Sequence, residues 1–361
     1  MVDSGWLLEP IREIHAQIRD LVVSRSEAAE LEEMSEVVEE GGCDTLFHID
    51  RISETRLIAL FEEGIASRAP MVLIGEGIPR GKITLPRNTR SEDAIWRVIV
   101  DPIDGTRSLM YQKRSGWILT GVAPNRGDDT SLADIELAVQ TEIPLVKQHL
   151  SDCLWAQKGS GARGERFNRI TGERRPFTPA PSTAAGLDHG FSTVVRFFSG
   201  GREILGALDD ELASAIFGRG DGRNARSFED QYLSTGGELY ELMTGHDRFV
   251  ADLRPLLAPI LEGRGSSSVL CCHPYDISTA LIAREAGVVI TGGLEDELNA
   301  PLNTEANVSW AGYANGIIRE LVEPRLRAAI EKHLRPRRPV QESKSTPAAH
   351  TPDCRRRDPR P

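Results

Sequence analysis

Trp96-Arg97-Val98-Ile99-Val100-Asp101-Pro102-Ile103-Asp104-Gly105-Thr106 is the stretch that decides how this chain folds. Val98 to Val100 are continuously apolar, the pattern of a strand covered on both faces. They predict a strand over Trp96 to Val100 that delivers Asp101 at its end. Pro102 has no N–H for a ladder bond and fixes its own φ, so the chain is expected to turn there. Asp104 then lies across the turn. Both carboxylates can point at one place, with the Ile103 carbonyl between them. Gly105 permits tight backbone geometry, and its N–H and that of Thr106 can face an anion. Oxygen donors without Cys or His suit a hard ion such as magnesium or manganese. The plainer alternative is an Asp-Pro turn closed by an Asx hydrogen bond.

Outward from this segment the pattern alternates between helix and strand. Leu8, Ile11, Ile14, Ile18, Leu21 and Val22 form one apolar stripe and predict a helix over Trp6 to Glu40, ended by Gly41-Gly42. A second helix is expected after Ser53 as N-cap. Met71 to Ile74 predict a buried strand ending at Gly75, and Pro79 to Asp93 a loop. Further strands are expected at Trp117–Val122, Ile135–Gln140 and Cys153–Gln157. After the Pro/Thr/Ala-rich stretch 176–185, helices are expected at Glu203–Phe217, Gln231–Met243 and Tyr275–Ala286, with strands at Arg248–Asp252 and Val288–Thr291. Gly236-Gly237 reads as a site of close helix packing. Gly159-Ser160-Gly161-Ala162-Arg163-Gly164 fits a dinucleotide fingerprint formally. The polar residues after it do not make a buried helix, so it reads as a loop between strands.

Two residues, Pro102 and Ile103, separate the aspartates. Phosphatases of the haloacid dehalogenase type have one residue there, so a covalent aspartyl-phosphate route is disfavoured. The chain instead resembles the inositol monophosphatase-like family. Three motifs carry the resemblance, in order: Gly75-Glu76, Asp101 to Thr106, and Pro274-Tyr275-Asp276-Ile277-Ser278-Thr279-Ala280 leading to Glu285-Ala286-Gly287-Val288. The resemblance implies an α+β fold, the layered αβαβα sandwich, with a metal-bearing part over 1–178 and a substrate part over 179–334. It implies one ion held by Glu76, Asp101 and the Ile103 carbonyl. A second would be held by Asp101, Asp104 and Asp276, with a third near Glu76. The ions would be Mg²⁺, with Mn²⁺ as a substitute. Asp50 would pair with Thr106 to orient the attacking water, and Gly105, Thr106 and Asp104 would border the substrate phosphate. Hydrolysis of a small sugar or inositol phosphate by metal-activated water follows, with lithium inhibition. Fructose-1,6-bisphosphatase, 3′-nucleotide phosphatase and non-catalytic phosphate binding are the alternatives. A homodimer is compatible with the family.

The sequence departs from the family at Gly77, where a second acid is common, and at Tyr275, where tryptophan is common. His48 and His273 read as structural or peripheral. The stretches 197–230 and 256–273 match the family least, and substrate choice is expected to lie there. Arg219, Arg223 and Arg226 could meet a second phosphate there or form a solvated cluster.

The net charge is -11. Residues 335–361 contribute eight Lys/Arg and three Asp/Glu, or +5, leaving -16 on the rest. An acidic body argues against nucleic-acid binding and is compatible with bound cations. No apolar run approaches the roughly 18 residues of a membrane span. Five cysteines without metal-site spacing, and a start without a secretion signal, predict a reduced cytoplasmic protein; the family resemblance implies a small phosphorylated metabolite as its partner. The Pro- and Arg-rich segment 335–361 reads as a disordered tail.

Overall fold

The computed structural model describes residues 3–28, 37–41, 44–218, 225–265 and 270–334. The expected tail, Cys43, Arg219 and Arg223 lie outside the described residues. The strands, in chain order, are β1 (Val37–Gly41), β2 (Asp44–Phe47), β3 (Met71–Gly75), β4 (Lys82–Leu85), β5 (Trp96–Asp104), β6 (Gly116–Pro124), β7 (Leu137–Ile143), β8 (Leu150–Gln157), β9 (Ala162–Asn168), β10 (Arg174–Phe177), β11 (Phe191–Val194), β12 (Asp247–Asp252), β13 (Val289–Gly292) and β14 (Trp310–Tyr313). An eight-stranded sheet runs β10-β9-β8-β7-β6-β5-β3-β4, and a four-stranded sheet runs β11-β12-β14-β13. β3 pairs with β5 in parallel, as β11 does with β12.

Side-chain alternation along the strands builds five layers. Leu73, Val98 and Val100 face helices Leu8–Ala28 and His48–Phe61. Val72, Ile74 and Ile99 face the opposite way, into a core shared with Leu239 and Leu242 of helix Thr235–Met243 and Ile282 of helix Ala280–Ala286. Val250 and Trp310 of the smaller sheet close that core from the other side. Phe249 and Ala251 point outward against Leu208 of helix Arg202–Phe217 and Val322 of helix Gly316–His333. The order is helix, sheet, helix, sheet, helix, the αβαβα sandwich. Both sheets are covered on both faces, which is why segments such as Met71–Ile74 and Val98–Val100 read as unbroken apolar runs.

Several expectations need correction. The first helix ends at Ala28, and Val37–Gly41 is a strand paired antiparallel with β2. Its apolar stripe had already ended at Val23. The second helix begins at His48, so Ser53 lies inside it, buried. The loop 79–93 contains β4, paired with β3. The helix near Asp276 starts only at Ala280, and the one near Gln231 at Thr235, where the Ser234 hydroxyl caps the Gly237 N–H at 2.8 Å. The Gly159–Gly164 segment spans the turn of the β8–β9 hairpin and runs into β9. The Gly159 and Gly161 amides donate to the Glu285 carboxylate at 2.7 and 2.8 Å, so a protein side chain already occupies them. No described helix is long and apolar enough to cross a membrane.

Candidate active site

The strand expected to stop at Asp101 continues to Asp104 through a bulge. Asp101 lies opposite Leu119 and Asp104 opposite Trp117 of β6, three residues advanced on one strand against two on the other. In a regular strand, residues three apart point to opposite faces. The one extra residue restores them to the same side. Pro102, which cannot donate to the ladder, sits within the bulge where no bond is required of it.

Asp276 reaches the pair from the start of the 274–279 turn. One carboxylate oxygen from each of Asp101, Asp104 and Asp276 lies within 4.8 Å of the others. Asp101 and Asp104 are 6% and 7% exposed. Each is anchored by backbone: Asp101 accepts from the Ile103 N–H at 2.9 Å, and Asp276 from the His273 N–H at 2.6 Å. The Asx turn considered for Asp101 therefore exists, and it holds the carboxylate at the cavity. Asp276 does not cap its helix. Asp104 accepts from the Ser234 hydroxyl at 2.8 Å and the Gly236 N–H at 2.6 Å.

Burial, then the charges of Asp104, Asp276 and Glu76, push the Asp101 carboxyl well above the usual carboxylate range. Burial, then Asp276, pushes Asp104 up to about 7, against the lowering effect of the Gly236, Ser234 and Thr235 hydrogen bonds. An acidic trio held together at that cost suits a hard cation: every donor is oxygen, and no Cys or His enters the trio. The residues fit a magnesium or manganese ion.

These groups open into a cavity of about 350 Å³ that Glu76, Asp50, Gly105 and Thr106 also line. The Thr106 hydroxyl lies 2.9 Å from Asp50 Oδ1 and 2.7 Å from the Ile103 carbonyl. One hydroxyl proton serves two acceptors, and an ionised carboxylate is the stronger of them. Gly105 has φ 84°, and a Cβ there would sit 2.9 Å from the Ser234 Cβ, so only glycine makes this turn. Thr106→Val keeps the shape and removes the hydroxyl. It is expected to lower kcat roughly 10²-fold with a smaller change in KM, read by steady-state kinetics.

The structure adds Ser234 and Glu54, which the sequence does not single out, and gives Gly236 a second role beside packing. Ser234 and Gly236 tie Asp104 to helix Thr235–Met243. The glycine pair there serves close packing: a Cβ on Gly236 would meet Leu119 Cδ2 at 2.6 Å and Asp104 Oδ2 at 3.0 Å, and one on Gly237 the Tyr232 ring at 2.5 Å. Gly236→Ala is expected to cost about 1–3 kcal/mol by overpacking, measurable by urea unfolding. Glu54 also lines the cavity. A Cβ on Gly77 would fall 1.8 Å from a Glu54 carboxylate oxygen, so the missing side chain at 77 leaves the space that Glu54 occupies. Burial, then the Asp50 charge, raises Glu54 to about 7. His273, expected to be structural or peripheral, borders the cavity. Arg226 does not line it; it pairs with Asp188 and donates to the Phe217 carbonyl.

No protein-family model matches the chain, and no curated protein matches it significantly. Solved structures do. The fructose-1,6-bisphosphatase of Leishmania major aligns with a TM-score of 0.62 at 15% identity, over 88% of this chain and 93% of that one. The extragenic suppressor protein SuhB of Bartonella henselae gives 0.60 at 15% identity, over 89% and 98%. An inositol monophosphatase from Zymomonas mobilis gives 0.56 at 15% identity, over 92% and 100%. The fold is therefore that of the inositol monophosphatase and fructose-1,6-bisphosphatase structures.

Proposed function

We propose that this chain is a magnesium-dependent phosphomonoesterase acting on a small phosphorylated metabolite. The observation that carries the reading is the convergence of Asp101 and Asp104 with the distant Asp276 on one cavity beside a hydroxyl hydrogen-bonded to Asp50. The solved structures of the same fold include an inositol monophosphatase and a fructose-1,6-bisphosphatase, which supports the same chemistry here.

Asp101, Asp104, Asp276 and Glu76 would hold the ions, with the Ile103 carbonyl as a further oxygen donor. When bound, magnesium supplies charge neutralisation at the phosphoryl oxygens and makes water a competent nucleophile near neutral pH. The chain's own residues position the reactants. Asp50 takes the Thr106 hydroxyl proton in a hydrogen bond, which leaves the Thr106 oxygen to accept one from a water. That fixes the water's direction of approach. The N–H groups of Gly105 and Thr106 receive phosphoryl oxygens. The water oxygen forms the new P–O bond as the ester P–O bond breaks, and the alcohol leaves with a proton. Positioning of this kind supplies much of what phosphoryl transfer needs from a protein.

The test is phosphate release with and without magnesium from inositol phosphates, fructose 1,6-bisphosphate, 3′-phosphoadenosine 5′-phosphate and simple alkyl and aryl phosphates. Release that requires the metal is expected from at least one of them. A folded protein that releases phosphate from none sinks the reading and favours a non-catalytic binder.

A further inference from the structure

The wall of the cavity contributed by the smaller sheet's connections carries an aromatic pair beside Arg254, Leu270 and Cys271. Phe197 and Phe198, just after β11, are half-buried and line the cavity. Their rings meet edge to face with centroids 4.8 Å apart. The Arg254 guanidinium lies 4.7 Å from the Phe197 centroid and 5.2 Å from that of Phe198. Arg202 clasps the backbone of the pair, its Nε donating to the Phe198 carbonyl at 2.7 Å and its Nη2 to the Phe197 carbonyl at 2.5 Å. The rings are therefore held in place before any ligand arrives.

Arg254 is not poised to take an anion. Its Nε and Nη2 donate to the two oxygens of Asp252 at 2.8 and 2.5 Å, and its Nη1 to the Leu270 carbonyl at 2.9 Å. Asp252 is fully buried, so the pair is neutral as a unit. Arg107 also lines the cavity, but it comes from the carboxylate wall, in helix Thr106–Met110. Further along the cavity, His273 and Tyr275 stack with planes 4° apart and centroids 5.3 Å apart. A second phosphate would meet rings and a neutralised guanidinium here. A polyol would bring hydroxyls against ring faces that offer them no ordinary partner. A flat ring would gain a stacking contact on the phenylalanines.

We propose that this site takes phosphomonoesters whose alcohol carries a planar aromatic ring, seated against Phe197 and Phe198, in preference to polyol phosphates and bisphosphates. This rests on the phosphomonoesterase reading above. Two matched pairs test it. Benzyl phosphate and ethyl phosphate share a primary alcohol and differ in the aromatic ring; adenosine 3′-monophosphate and inositol 1-phosphate contrast a secondary alcohol that carries a planar aromatic base with one that carries no aromatic ring. With magnesium, kcat/KM is expected to favour the aromatic member of each pair by roughly ten- to a hundredfold, the scale of one stacking contact. Phe197→Leu and Phe198→Leu keep an apolar side chain and are expected to shrink that ratio, mainly by raising KM for the aromatic substrate. Equal kcat/KM within both pairs, or a preference for inositol 1-phosphate, overturns the inference and leaves the phosphomonoesterase reading intact. A ratio that survives both leucine variants overturns it as well. A failure to release phosphate from any of the four substrates overturns the inference, while the phosphomonoesterase reading is then decided by the wider panel above. The wild-type ratios stand whether or not the variants fold.

Discussion

Asp104→Asn is expected to lower magnesium-dependent kcat roughly 10³-fold, about 4 kcal/mol of transition-state stabilisation, without destabilising the metal-free protein. The two halves of that result have one cause. Asparagine keeps the shape and an oxygen that can accept from Ser234 and Gly236. It removes a buried charge that stands against Asp101 and Asp276. A carboxylate kept for packing alone would behave oppositely: its replacement would cost stability and spare activity. Phosphate-release kinetics and urea unfolding of the same two proteins, both without metal for the unfolding, read the outcome. An Asn variant that keeps most of its activity removes Asp104 from the mechanism.

The second large effect is on stability against pH. Asp104 titrates at about 7 in the folded chain against an ordinary 3.8, and Glu54 at about 7 against 4.5. A raised carboxyl pKa means that the folded state binds more protons than the unfolded state between those values. The stability associated with these groups is therefore full below about pH 4 and is lost as pH rises through about 7. The melting temperature of the metal-free protein is expected to fall over that window. Asp209, raised to about 6, and Asp247, raised to about 7, add to the slope with the same sign. Magnesium separates the site from these bystanders, because it binds the ionised trio and not Asp209 or Asp247. At pH 7.5, with free magnesium a hundredfold above Kd, about 2.7 kcal/mol of stabilisation is expected, a rise of several degrees in Tm. The same addition at pH 4 is expected to do little, since protons then occupy the carboxyls. A Tm that ignores magnesium at both pH values contradicts the assignment.

The chemistry of the site was legible because much of it is local. Asp101, Pro102, Ile103 and Asp104 are contiguous, and the spacing of the two aspartates already required one of them to be redirected. The bulge supplies that redirection in a form the sequence reading had described as a turn. What escaped notice depends on contacts between distant segments. Ser234 falls inside the helix expected from Gln231, and nothing local reveals that its hydroxyl meets Asp104 across 130 positions of sequence. Glu54 becomes visible only when helix His48–Phe61 is laid against Gly77. Phe197 and Phe198 look like any apolar pair until Arg254 is placed beneath them.

The same division holds for the fold. Apolar runs such as Val98 to Val100 declare buried strands. Trp310–Tyr313 is too short to show a period, and it is a strand because β12 and β13 pair with it on either side. Helix Gly316–His333 carries Pro324 inside it, which masks a clear start at Asn315, whose side chain accepts from the Ile318 N–H at 2.9 Å. For the first helix, helix propensity extends past Val23 while the apolar stripe does not, and Val37–Gly41 forms a strand paired with β2.

Direct titration with Mn²⁺, following the electron paramagnetic resonance signal of the free ion, probes the carboxylate cluster without requiring any substrate. Wild type is expected to take up about two ions per chain at neutral pH, and Asp276→Asn to lose tight uptake while staying folded. A folded wild-type protein that leaves millimolar Mn²⁺ entirely free in solution would contradict the account.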